Sequence, residues 1–113
     1  MAPDPDSRVF FVSGGSEAVE TAVKMARKYH RNQGEPGRFK LISRRGSYHG
    51  CTLACLSLGG GGSNTGADYG PLLPGVIRVQ GPDDFRPAFS HDGVESDLEC
   101  AREIGRASCR ERV

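Results

Sequence analysis

No apolar run in the 113 residues approaches the roughly 18 consecutive positions that a membrane-spanning helix needs, so nothing here is expected to cross a bilayer. The N-terminal MAPDPDSR has neither a basic n-region nor an apolar h-region, which argues against a secretory leader and for a cytoplasmic chain. Charge of one sign is also missing: 15 Lys and Arg against 14 Asp and Glu leave a net charge of +1. With the arginines scattered, no nucleic-acid or membrane footprint is built. Cysteine is sparse, and the four residues Cys51, Cys55, Cys100 and Cys109 do not form a secreted disulfide framework, so reduced thiols are expected. Size sets a further limit. A chain this short is at most one small domain and buries only about two-thirds of its unfolded surface.

What is present alternates between strand-like and helix-like segments. Arg8 to Val12, RVFFV, is a continuous apolar run with β-branched and aromatic residues, which predicts a strand buried on both faces. From Ser16 to Asn32 the residues Ala18, Ala22, Met25, Ala26 and Tyr29 share one face of a predicted helix, widened by Val19 and Val23. GEPGR, Gly34 to Arg38, stops that helix, and Phe39 to Ser43 supplies a second strand. A helix of this length between two strands predicts a βαβ unit. Cys51 to Leu58 reads as a short helix and Gly75 to Val79 as a third strand. Between them Gly59 to Gly75 holds seven glycines and is either a connector or a mobile loop over a site. A last helix begins within GVESDLECARE, residues 93 to 103.

The corner VSGGSEA carries the first candidate chemistry. A helix N-terminus exposes unpaired N–H groups and a partial positive charge, which attract phosphate. Gly14 and Gly15 remove any Cβ from the approach, and the Ser16 hydroxyl, with that of Ser13, adds a donor. This is not a Walker loop, because no Gly-Lys-Ser/Thr follows, and it lacks the third glycine of a dinucleotide fingerprint. The same residues also suit a plain tight turn with Ser16 as helix cap and with Glu17 and Glu20 favouring the helix dipole. Tyr48, His49 and Gly50 follow the second strand and so lie at the carboxyl edge of the predicted sheet, facing the same crevice. A phosphate cup beside an aromatic ring suits a flat, phosphorylated heteroaromatic ligand.

The series His49-x-Cys51-x₃-Cys55 offers no fourth ligand for a zinc site, so small packed side chains are the better reading of its cysteines. His30 and His91 are expected to face solvent. Arg44 and Arg45 serve either an anion or a solvated strand end.

Three stretches resemble the class III, or omega-type, aminotransferases that use pyridoxal 5'-phosphate on a fold type I scaffold. RVFFVSGGSEAVETAVKMAR is similar to the phosphate-binding segment of that family, GSYHG to its ring-stacking loop, and YGPLLPGVIRVQGPD to its proline-containing approach to the next strand. The resemblance implies an α/β fold, namely part of a fold type I large domain with βαβ units on a mostly parallel sheet. It implies that Gly15 and Ser16 bind the cofactor phosphate, that Tyr48 stacks on the pyridine ring and that His49 and Gly50 complete the loop. Gly14 stands where many relatives carry a serine. The implied reaction transfers an amino group from an amine or amino acid donor to a keto acid or aldehyde, in a homodimer. The family also needs a lysine that carries the cofactor and an aspartate on the pyridine nitrogen. Lys24, Lys28 and Lys40 do not match that lysine, so residues 8–103 are expected to be an inactive piece of a longer enzyme. An aminomutase of the same fold and a small non-catalytic phosphate-binding α/β module are the alternatives. The last ten residues, IGRASCRERV, are similar to the codon-for-codon translation of a widely used sequencing adapter. On that resemblance residues 104–113 are a non-native tail, and Cys109 has no biological role.

Overall fold

A computed structural model of the chain describes residues 4–59, 68–81 and 96–111. The glycine-rich stretch at 60–67 and His91 lie outside the described residues. The elements are α1 (Gly15–Asn32), β1 (Leu41–Arg44), α2 (Leu53–Leu58), β2 (Val76–Val79) and α3 (Ser96–Glu111). β1 and β2 pair in parallel with Leu41 opposite Val76 and Arg44 opposite Val79. A parallel pair needs a crossover, and α2 lies within it, packed on both strands. α3 also packs on both strands, so the expected α/β character holds.

The small core sits where these elements meet: Cys55, Leu58, Val79 and Cys100 are buried, with Ser43 and Ser57 beside them. Ser57 is buried with its hydroxyl both donating and accepting. It donates to the Leu53 carbonyl at 2.6 Å and accepts from the Leu73 amide at 2.8 Å. Such pairing is what makes burial of a hydroxyl tolerable. The Ser57 carbonyl also accepts from the Arg78 guanidinium at 2.9 Å, tying α2 to β2. At the end of β2 the Gln80 amide donates to Glu103 at 2.7 Å and the Cys100 thiol donates to the Gly81 carbonyl at 3.3 Å. These bonds dock α3.

Two expectations are corrected. Arg8 to Val12 forms no strand and is exposed, Phe11 at 89%. A strand buried on both faces needs ladder neighbours and cover, and among the described residues only β1 and β2 pair. The βαβ unit therefore runs through α2 rather than α1. Secondly, α1 does not dock through its Ala-Met-Tyr face: Met25 and Tyr29 are more than half exposed. The side turned inward carries Ser16, Val19, Glu20, Val23, Arg27 and His30, at helical spacing. Polar bonds to the segment before α2, described below, select that side. His30 is thus half-buried rather than solvent-facing, and its Nδ1 lies 3.3 Å from the Glu35 carboxylate. The last helix, expected to begin within residues 93–103, runs from Ser96 to Glu111, with Glu99 paired to both Arg102 and Arg106.

Candidate functional site

α1 begins without a side-chain cap. Gly14 is its N-cap residue, in an extended conformation, and no side chain there accepts a bond from the first turn. The first backbone bond of the helix is donated by Ala18 to the Gly14 carbonyl at 3.0 Å, so the N–H groups of Gly15, Ser16 and Glu17 precede it. Those are the donors a helix leaves unmet within itself. A Cβ built on Gly15 would have nothing within 4 Å, so the space beside that residue is open, while one on Gly14 would meet the Glu17 carboxylate at 3.8 Å.

Ser16 does not cap the helix; it lies inside the first turn and reaches the other candidate segment. Its Oγ accepts from the Cys51 amide at 3.0 Å, across 35 residues of sequence. Its carbonyl accepts from the Cys55 thiol at 3.5 Å. The Cys51 bond uses a lone pair of the hydroxyl and leaves its O–H free to donate. Gly50 makes the approach possible. Its φ is +130°, and a Cβ there would lie 2.4 Å from Ser16 Oγ. Only glycine fits both the backbone and the space.

One turn further along α1 a second bond joins the same elements. Thr52 Oγ1 donates to Glu20 Oε1 at 2.6 Å and also accepts from the Cys55 amide at 3.4 Å, capping α2. Glu20 also lines a surface cavity of about 410 Å³ with Ser13, Glu17, Thr21, Lys24 and Thr52.

The Tyr48 ring is 79% exposed, and its hydroxyl lies 3.2 Å from Cys51 Sγ. That hydrogen bond, with the Cys51 charge next, pushes the phenol above its ordinary value near 10.0. His49 turns elsewhere. It lines a cavity of about 300 Å³ with Ile42, Ser43, Arg44, Ser47, Val79 and Ile104. Ser16 at the glycine corner, Gly50, Cys51 and the Tyr48 hydroxyl are thus one neighbourhood, and His49 lines a second cavity. In the sequence Cys51 reads as a small packed side chain and Glu20 as an acid that favours the helix dipole, and Thr52 carries only the capping preference of its residue type.

Solved transaminases share this arrangement of elements. An amine transaminase from an uncultivated Pseudomonas species, in its PLP-bound form, is 37% identical with a TM-score of 0.77, over 88% of this chain and 22% of that one. An omega-transferase from Vibrio fluvialis is 32% identical with a TM-score of 0.85, over 97% of this chain and 26% of that one. The class is therefore a fold type I transferase scaffold, present in part. The model of the family "Aminotransferase class-III" matches residues 1–111, and the chain belongs to that family. Among relatives, a "Probable aminotransferase" of Mycobacterium tuberculosis is 42% identical over 111 residues, which is 94% of this chain and 22% of the relative. Acetylornithine aminotransferase of Agrobacterium fabrum is 47% identical over 72 residues, 64% of this chain and 18% of the relative. The chain spans about a fifth of the length of these relatives.

The residues fit the cofactor that the family implies. Open amides, a donor hydroxyl and a glycine approach free of Cβ suit a phosphate, and an exposed phenol ring beside them suits an aromatic face.

Proposed function

We propose that residues 8–103 are the phosphate-cup and ring-platform segment of a longer class III aminotransferase, which moves an amino group from an amine or amino acid to a keto acid or aldehyde. The observation that carries the reading is the Cys51 amide bonded to Ser16 Oγ, which holds the two family-like segments against each other. In this reading the N–H groups of Gly15 and Ser16 and the Ser16 hydroxyl hold the phosphate of pyridoxal 5'-phosphate. Gly14 keeps the entry to them clear. The Tyr48 ring covers one face of the cofactor ring and shields it from water, while His49 supports the loop from the side of β1. When bound, the cofactor supplies an electron-withdrawing ring that acidifies the carbon bearing the amino group. A cytoplasmic homodimer belongs to the same proposal and is supported by the family alone. We also propose that residues 104–113 derive from a sequencing adapter; reading the source DNA past the Glu103 codon tests this, and a natural codon run through Val113 would refute it.

Titration of pyridoxal 5'-phosphate into the isotope-labelled chain tests the site. The amides of Gly15, Ser16 and Glu17 and the Tyr48 ring signals are expected to shift together. Shifts of the amides without any response of Tyr48 would reduce the site to an anion cup. Borohydride treatment of the mixture is expected to give no stoichiometric adduct at one lysine, since Lys24, Lys28 and Lys40 do not match the family's lysine. A site-specific adduct would overturn the proposed inactivity of this segment.

A further inference from the structure

Ser16 and Glu20 are one turn apart on α1, and each bonds to one of two adjacent residues, Cys51 and Thr52. The first bond uses a backbone amide of the ring loop. The second joins two side chains outside the open amides and the Tyr48 ring, and it forms at 2.6 Å between a carboxylate and a hydroxyl, the short, charge-assisted kind. Because Thr52 is also the cap of α2, pulling it toward Glu20 sets where α2 begins and hence where the preceding loop returns from Tyr48. The Gly50 approach to Ser16 leaves no slack for another register.

We propose that Glu20 and Thr52 are positioning residues, a latch that sets the separation of the phosphate cup from the Tyr48 platform. The inference rests on the cofactor reading above. A ligand carrying phosphate and ring on one frame gains from both half-sites only while they are held at matching distance, as tethered binding modules do. A ligand with the phosphate alone is indifferent to that distance.

The experiment compares pyridoxal 5'-phosphate with inorganic phosphate on the whole chain and its E20A, E20Q, T52V and T52S variants, using the Gly15 to Glu17 amide shifts. Hydrogen exchange of the Cys51 amide is measured without ligand. E20A leaves the Thr52 cap on α2 intact and so separates latch from cap. E20A and T52V are expected to weaken pyridoxal 5'-phosphate binding by about 5- to 10-fold, the effect of one such bond, and to leave inorganic phosphate within about 2-fold. Cys51 amide exchange should rise in both variants. E20Q and T52S, which retain an acceptor and a donor, should restore both readouts. Equal weakening of both ligands would show a merely structural bond and overturn the latch, as would unchanged affinity or unchanged exchange in E20A. If the unsubstituted chain binds phosphate but shows no preference for pyridoxal 5'-phosphate, the cofactor reading itself fails and takes the latch with it.

Discussion

On the side of α1 that meets α2, Ser16 and Glu20 are each bonded to a residue more than 30 positions away. On its other side Met25 and Tyr29 are 53% and 61% exposed, and before the helix Val9 and Phe10 are each 65% exposed. The polar junction is complete and the apolar surface is open. Hydrogen bonds are directional and local, so one pair of short segments can satisfy them. Apolar faces are served only by area, which a small chain does not have to give. The contrast explains why the docked side of α1 takes only the Val19 and Val23 edge of its apolar face.

The largest expected effect breaks the junction outright. Gly50→Ala puts a Cβ onto Ser16 and forces a strained positive φ, so a stability loss of about 2 kcal/mol or more is expected, read as a lower urea midpoint. A midpoint equal to that of the parent would mean that the loop does not press on Ser16. Next, Tyr48→Ala should weaken pyridoxal 5'-phosphate binding by about 10-fold while Tyr48→Phe keeps it, because stacking uses the ring and not the hydroxyl. The midpoint should move only slightly in either, since the side chain is largely exposed and loses only its contact with Cys51.

The open surface should behave in the opposite way. Phe11→Ser is expected to change the stability by no more than about 0.5 kcal/mol and to raise the concentration at which the chain stays monodisperse by light scattering. A large loss of stability there would show that Arg8 to Val12 is packed after all. The smallest effect concerns pH. The Tyr48 phenol is raised above 10.0 by Cys51, so the folded state holds its proton more tightly than the unfolded state. Its contribution is fully present below the ordinary phenol value and falls away as pH climbs through the raised one. Ultraviolet titration of the phenol should show the midpoint return toward the ordinary value in Cys51→Ala.

Much of the scaffold was legible because its signals are local. Leu41 to Ser43 and Val76 to Val79 are short runs led by Leu, Ile and Val between glycine-containing turns, and α1 is a long segment free of Gly and Pro after its glycine corner. Arg8 to Val12 carries the same local signal as β1 and yet forms no strand, since strand pairing belongs to the neighbour as much as to the run. The meeting of Ser16 with Gly50 and Cys51 was legible only as a shared sheet edge. The bonds themselves span 35 residues, and nothing in either segment encodes the other's position. Glu20 illustrates the limit. By position it reads as an ordinary acid near a helix start, and only the fold brings Thr52 within reach of it.

The parallel register of β1 and β2 has a consequence for the chain as it is made. Leu41 leaves the ribosome 35 residues before Val76, its partner in the ladder. At about 5–20 residues per second, that interval is roughly 2–7 seconds. Throughout it the newly made Leu41–Arg44 segment has no Val76–Val79 to pair with, and any similar nascent segment nearby meets the same bare backbone. For this chain, translation speed sets how long the first strand stays adhesive.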